Sequence, residues 1–223
     1  ELVDVEAGRG LSRLPAPDDG DVFFDIEGDL LLEDGGREYL FGYAFHDGSD
    51  QLAYRAVWGR NATEEKLAFE TFIDFVMNRW GERPGMHIYH YGAYEVGAVK
   101  RLMSRYATRE TDVDRLLRGH RFIDLLTVTR QGVRASVERY SLKDLEPFHA
   151  YRREQDLRHA GVALRRVALV LQTGGAEHLP DADKATVELY NRDDCFSTAQ
   201  LRDWLEAKRA EWEARGQDLE RPI

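Results

Sequence analysis

The 223-residue sequence lacks the features that mark secreted or membrane-spanning chains. It has one cysteine, Cys195, which excludes an intrachain disulfide and is typical of a reducing compartment, so a cytoplasmic location is expected. No apolar run reaches the roughly 18 residues of a transmembrane helix, so no membrane contact is expected. The first ten residues contain neither an initiator methionine nor an apolar signal segment, which suggests a fragment of a longer polypeptide.

The chain also lacks an excess of positive charge. Its formal net charge is −10, from 31 Lys and Arg against 41 Asp and Glu, which argues against a simple polyanion binder. Between Val96 and Arg166, however, 16 basic residues stand against 9 acidic ones. This basic middle suits a nucleic-acid track beside a metal site, and it suits equally well a helical segment with solvated arginines.

Alternating and helical apolar patterns follow one another along the chain. We predict strands at 21–26, 39–46, 51–58 and 84–90, and helices at 63–80, 91–106, 141–148 and 184–214. Thr63 is expected to cap the helix at 63–80, and Asp181 or Asp183 the helix at 184–214. Residues 121–133 continue the α/β alternation, and 164–175 are predicted to be helical.

This order predicts an α/β domain with a mixed sheet of about five strands, which opens as an antiparallel meander. The stretch LPAPDDG, rich in turn residues, ends a predicted linker at 1–19. The domain itself is predicted to span 20–206, and 207–223 to form the end of the last helix and a tail.

Acidic residues recur at three positions where burial is expected. Asp25 and Glu27 lie two apart on the first strand and so share one face of it. Glu95 opens a helix directly behind the strand HIYH, and Tyr190 and Asp194 share a mostly apolar face of the last helix. Each has an ordinary explanation: a chance D-x-E, an acid compensating a helix dipole, a solvated aspartate. Together, four buried carboxylates from three distant segments most simply share divalent cations.

The stretches that carry these residues resemble the DEDD exonuclease superfamily of the RNase H-like fold, in the subtype whose last motif is Y-x-x-x-D. The matching motifs are DIEGD, HYGAYE and YNRDD. The longer stretches FFDIEGD, HIYHYGAYE, RFIDLL, YSLKDLEPF and YNRDDC look like the YprB-type RNase H-like domain of uncharacterised RecB-family nucleases. Such a domain sits, in some bacteria, in a larger protein beside a RecB-like nuclease region and a helicase.

The resemblance implies a three-layer RNase H-like fold and a metal-dependent nuclease acting on DNA or RNA. Asp25, Glu27, Glu95 and Asp194 would bind two Mg²⁺ or Mn²⁺ ions about 4 Å apart, and Tyr190 would orient the attacking water. By analogy with the superfamily, the enzyme would be a 3′→5′ exonuclease acting on single-stranded 3′ ends. The second motif has Glu95 where the family usually has Asp, so a shifted geometry is expected.

Other residues near the motifs have weaker assignments. Three are candidates for supporting the metal ligands: His90, Asp124 and Asp193. For His90, a core histidine is the more common case. Lys143 and Arg152 are candidate phosphate contacts, with a solvated surface as the ordinary alternative.

Two other functions stay open from the sequence. In the first, the domain is a catalytically silent nucleic-acid-binding or docking module of a larger helicase–nuclease protein. In the second, it is a phosphoesterase acting on small nucleotides. The four acids and the tyrosine favour the nuclease. The sequence does not choose between DNA and RNA.

Overall fold

A computed structural model describes residues 2–3, 8–32, 35–49, 51–216 and 219–222. One sheet contains five strands: β1 (Val22–Asp29), β2 (Arg37–His46), β3 (Leu52–Trp58), β4 (Ile88–His90) and β5 (Phe122–Asp124). The helices of the described residues are α1 (Ala62–Glu82), α2 (Tyr94–Tyr106), α3 (Glu110–Arg118), α4 (Leu125–Gly132), α5 (Leu142–Leu145), α6 (Leu157–Gln172) and α7 (Asp181–Glu213).

The sheet has the strand order β3-β2-β1-β4-β5. β1 pairs antiparallel with β2 and β2 antiparallel with β3, whereas β4 pairs parallel with both β1 and β5. The predicted mixed sheet of about five strands with an antiparallel opening meander is therefore confirmed.

Side-chain alternation along β1 divides the molecule into three layers. Val22, Phe24 and Ile26 face a core formed with α1, α2 and α3, where Phe24 stacks on Phe72 with ring centroids 3.8 Å apart. Phe23 faces the opposite core, formed with α4, α5 and α7. Because Asp25 and Glu27 alternate in phase with Phe23, their side chains point toward α7.

Two predicted helix caps are wrong. Asn61, not Thr63, caps α1, since its side-chain oxygen accepts a hydrogen bond from the Glu64 amide at 2.9 Å. The chain enters α7 through Pro180, and neither Asp181 nor Asp183 caps it. Both aspartates lie in the first turn of α7, where the helix dipole favours negative charge.

Several element bounds also differ from the predictions. The strand expected at 84–90 is limited to Ile88–His90, and the helix expected at 141–148 to Leu142–Leu145. α3 was not predicted, because its nine residues carry only two buried apolar side chains, Val113 and Leu116. α6 begins after Asp156, whose carboxylate accepts from two backbone amides.

Residues outside 20–206 pack on the same sheet. A 3-10 helix, Gly10–Arg13, places Leu11 in the core beside Leu14, and Trp212 and Leu219 pack in that core as well. The domain boundaries themselves stay a prediction. Within the described residues, every helix is too short or too polar to cross a membrane.

Candidate metal centre

Three of the predicted ligands converge between β1 and α7. Asp25, Glu27 and Asp194 each offer a carboxylate oxygen, and these oxygens lie within 4.8 Å of one another. Two oxygens on one cation are separated by at most about 4.2 Å for Mg²⁺ and about 5 Å for Ca²⁺, so the separations here are within or close to that limit. These three residues, the carboxylate triad, therefore fit a divalent cation.

The triad holds more negative charge than its surroundings stabilise. Burial, followed by the charges of Asp194, Glu27 and Glu95, raises the pKa of Asp25 well above its usual value. Burial and the charge of Asp194 raise the pKa of Glu27 to about 8, although Lys143 acts in the opposite direction. A divalent cation would favour the ionised form of both groups.

Asn191, which the sequence analysis did not identify, orients two members of the triad. Its fully buried side-chain amide donates to Asp25 Oδ2 at 2.8 Å and to Glu27 Oε1 at 3.4 Å. Its Oδ1 accepts from the Tyr54 hydroxyl at 2.9 Å. A β-carbon at Gly42 would lie 1.5 Å from that oxygen, so only glycine leaves room for the amide. The sequence feature that could have indicated this role of Asn191 is Gly42, a glycine in the middle of β2 that pairs with Asp25.

Glu95 lies near the triad but is not one of its members. Its side chain is buried in the first turn of α2, with Oε2 3.4 Å from His90 Nδ1. His90 Nδ1 donates instead to the Gly92 carbonyl at 2.7 Å, and Glu95 Oε2 has no hydrogen-bond partner among the described residues. An unsatisfied buried carboxylate oxygen close enough to influence Asp25 fits the edge of a metal site.

Asp124 does not contact the triad. Its carboxylate caps α4 and accepts hydrogen bonds from the Leu126 amide at 2.9 Å and the Gly92 amide at 2.8 Å. Gly92 has a φ of +106°, which favours glycine, and lies in the turn between His90 and Glu95. Asp124 therefore holds the turn that positions Glu95.

Asp193 faces away from its neighbour Asp194. It accepts from the Tyr151 hydroxyl at 2.8 Å and from the Gln155 amide at 2.9 Å. These bonds attach residues 151–155 to α7, and that segment carries Arg153. Asp193 thus supports the site through the loop it anchors.

Two cations contact Asp194. Lys143 Nζ lies 2.8 Å from each carboxylate oxygen, and the Arg153 guanidinium forms an ion pair with the same carboxylate. Lys143 is therefore part of the site and not the solvated side chain that its sequence suggests. Arg152 is exposed, and its neighbour Arg153 points inward.

Tyr190 lies one turn before Asp194 on α7. The Lys143 nitrogen is 5.0 Å from the centre of its ring, and the Arg153 guanidinium carbon is 5.6 Å from it. Burial and the charge of Asp194 raise the pKa of the Tyr190 hydroxyl, which therefore stays protonated and able to donate. Cys195 is fully buried, and burial raises the pKa of its thiol, as suits a packing residue.

Comparisons with known proteins identify the family. The curated 2-oxoglutarate dehydrogenase E1 component of Oceanobacillus iheyensis is 29% identical over 94 residues, which is 42% of this chain and 10% of that protein. The chain thus matches only a small part of that relative's length. No solved structure matches. A sequence model of the RNase H superfamily matches residues 22–206, which include all five strands and the residues of the triad, and the chain therefore belongs to the RNase H superfamily.

Proposed function

We propose that this protein is a metal-dependent nuclease of the DEDD type that hydrolyses phosphodiester bonds of DNA or RNA. The observation that carries the proposal is the convergence of Asp25, Glu27 and Asp194, from distant parts of the chain, with their oxygens within 4.8 Å. Nucleases of the RNase H superfamily generally act with divalent metals, and the raised pKa values of Asp25 and Glu27 suit metal ligands.

The triad would hold Mg²⁺ or Mn²⁺, with Glu95 completing a two-ion site through its unpartnered Oε2. Bound ions would lower the pKa of a water and stabilise charge on the leaving oxygen. Asn191 holds the Asp25 carboxylate in place through its amide. Tyr190, as a neutral phenol one turn from Asp194, donates a hydrogen bond that orients the attacking water.

The proposal includes a polarity and a context. We propose 3′→5′ exonucleolytic action on single-stranded 3′ ends, in the cytoplasm, within a larger protein that includes RecB-like nuclease and helicase regions. The support is the resemblance of the three motifs to the DEDD and YprB-type domains. The domain would span residues 20–206.

The test is a cleavage assay on 3′- and 5′-labelled single-stranded DNA and RNA, with Mn²⁺, Mg²⁺ or EDTA. The control is the double variant Asp25→Asn/Asp194→Asn, shown to be folded by circular dichroism. We expect a ladder that shortens from the 3′ end, and its loss in EDTA and in the double variant.

Other outcomes would replace the proposal. If the folded protein binds oligonucleotides and cleaves none of them, the catalytically silent binding or docking module is favoured. If it hydrolyses mononucleotide esters at a rate independent of strand length, it is a small-nucleotide phosphoesterase.

A further inference from the structure

The two cations on Asp194 differ in how firmly the protein holds them. Arg153 is anchored by a second acid, since its Nε lies 3.1 Å and its Nη2 2.5 Å from the Glu146 carboxylate. Glu146 in turn accepts from the Ser197 hydroxyl at 3.2 Å. With 7% of its side chain exposed, Arg153 is fixed between Glu146 and Asp194.

Lys143 has no comparable anchor. Within the described part of the chain, Asp194 is the one acid that its nitrogen contacts, and 30% of its side chain is exposed. Its flexible stem leaves a four-residue helix, α5, which Leu142 and Leu145 fix in the core. A lysine ammonium is a compact charge on a flexible stem, whereas a guanidinium held by two carboxylates is fixed.

We propose that Lys143 is the exchangeable cation of this site. It neutralises Asp194 until a divalent metal ion takes that carboxylate, and it then binds a non-bridging oxygen of the substrate phosphate. This inference rests on the proposed nuclease function and deepens it, because it assigns the residue that contacts the substrate phosphate.

The geometry supports both halves of the proposal. Lys143 Nζ is equidistant, at 2.8 Å, from the two Asp194 oxygens, so it competes with a metal ion for either one. Arg153 stays paired with Glu146 when Asp194 binds a metal ion, whereas Lys143 then has a free positive charge beside the reacting phosphate. Tyr190, against whose ring the ammonium lies, keeps the side chain at the site.

The test is calorimetric titration of MnCl₂ into the wild-type protein, Lys143→Met, Lys143→Arg and the matched control Lys100→Met, which removes the same charge from an exposed position on α2. Circular dichroism and thermal unfolding in EDTA check that each variant folds. We expect Lys143→Met to bind Mn²⁺ roughly fivefold more tightly, because a competing cation is gone. Lys143→Arg keeps the charge and can pair with both Asp194 oxygens at once, so it should bind Mn²⁺ no more tightly than the wild type.

Cleavage, at saturating Mn²⁺, of the labelled single-stranded DNA or RNA that the wild type degrades tests the phosphate contact. Lys143→Met should be slower by roughly 100-fold, as for loss of one charge-stabilising donor, and Lys100→Met unchanged. Equal or weaker Mn²⁺ binding by Lys143→Met would overturn the exchange, and a wild-type rate at saturating Mn²⁺ would overturn the phosphate contact. A wild-type protein that binds no Mn²⁺ would overturn both this inference and the proposed function. The two outcomes above would overturn only the inference about Lys143, so its failure is distinguishable from failure of the proposed function.

Discussion

Two groups of acids lie against the same sheet, and they differ in their partners. Glu38 on β2 and Glu65 on α1 each contact one arginine and one tyrosine: Arg101 and Tyr94 for Glu38, Arg105 and Tyr106 for Glu65. In the carboxylate triad both cations lie on Asp194. Among the described residues, Asp25 and Glu27 have no ion pair at all and share the neutral amide of Asn191.

This difference in partners indicates which group of acids is suited to bind a metal ion. A buried carboxylate with its own cation and hydrogen-bond donor is a completed structural unit. A carboxylate oriented by a neutral amide, beside other acids, still lacks its countercharge. Tyr94 and Glu95 show how local the distinction is, because Tyr94 donates to Glu38 whereas its neighbour Glu95 adds negative charge near Asp25.

The largest effect is expected for Asp25→Asn. We expect cleavage to fall by at least roughly 1,000-fold, because the amide removes a charged metal ligand at the centre of the triad. The unfolding temperature in EDTA should stay the same or rise, since repulsion between like charges is reduced. Cleavage rates and thermal melts check both, with Asp47→Asn, at an exposed turn, as the matched control. Wild-type cleavage by Asp25→Asn would contradict the role of the triad.

The second prediction concerns metal and pH together. The pKa of Glu27 in the folded protein, about 8, is raised above its ordinary 4.5, so the folded state keeps a proton that the unfolded state has lost. This contribution to stability is fully present below pH 4.5 and is lost as the pH rises through 8.

In EDTA the free energy of unfolding should therefore decline across that interval. In Mn²⁺ the ionised carboxylates bind metal, and stabilisation should grow with pH to about 2.7 kcal/mol at 100 times Kd. Thermal melts from pH 5 to pH 9, with Mn²⁺ and with EDTA, measure both the decline and the stabilisation. Parallel curves in the two conditions would show that the triad binds no metal.

A substitution in the group formed by Glu38 and Glu65 should lower the stability of the protein and leave metal binding unchanged. Arg101→Met leaves Glu38 buried without its cation and should cost about 2 kcal/mol of unfolding free energy, less than a fully buried pair because Arg101 is 36% exposed. Mn²⁺ affinity should be unchanged. Urea denaturation and calorimetry check the two expectations, with the exposed Arg118→Met as control. Weakened Mn²⁺ binding would show that the two groups are coupled.

The sequence predicted the parts of this site that depend on local periodicity. Alternation along β1 placed Asp25 and Glu27 on one face, and the apolar face of α7 turned Asp194 inward. The mixed sheet followed from the order of strand and helix patterns. The convergence of three acids was predictable because each lay on an element whose buried face could be read from its neighbours.

The remaining parts depend on contacts between distant segments. Lys143 and Arg153 lie in a stretch rich in basic residues, and no pattern separates them from Arg152. Their positions are set by the burial of α5 and by the bonds of Asp193 to residues 151–155. Asn191 depends on the space left by Gly42, 149 positions earlier in the chain. The distance of Glu95 from the triad depends on a turn held by Asp124, on another strand.

The smallest predicted effect tests the Tyr54 hydroxyl. Tyr54→Phe removes the donor to Asn191 Oδ1 and leaves the ring in place, so the loss of unfolding free energy should be about 1 kcal/mol. Without that donor the amide is free to turn its oxygen toward Asp25, and Mn²⁺ affinity should fall by up to about tenfold. Calorimetry measures the affinity.

Tyr106→Phe is the matched control, because its hydroxyl donates to Glu65 in the other acidic group. It should lose similar stability and bind Mn²⁺ as the wild type does. If both variants lose affinity equally, general loosening of the sheet is the cause, and Tyr54 does not orient the amide. If only Tyr54→Phe loses affinity, the hydroxyl acts through Asn191 on Asp25. Removing one hydroxyl oxygen from each acidic group, that of Tyr54 or that of Tyr106, would then affect metal binding in the triad alone.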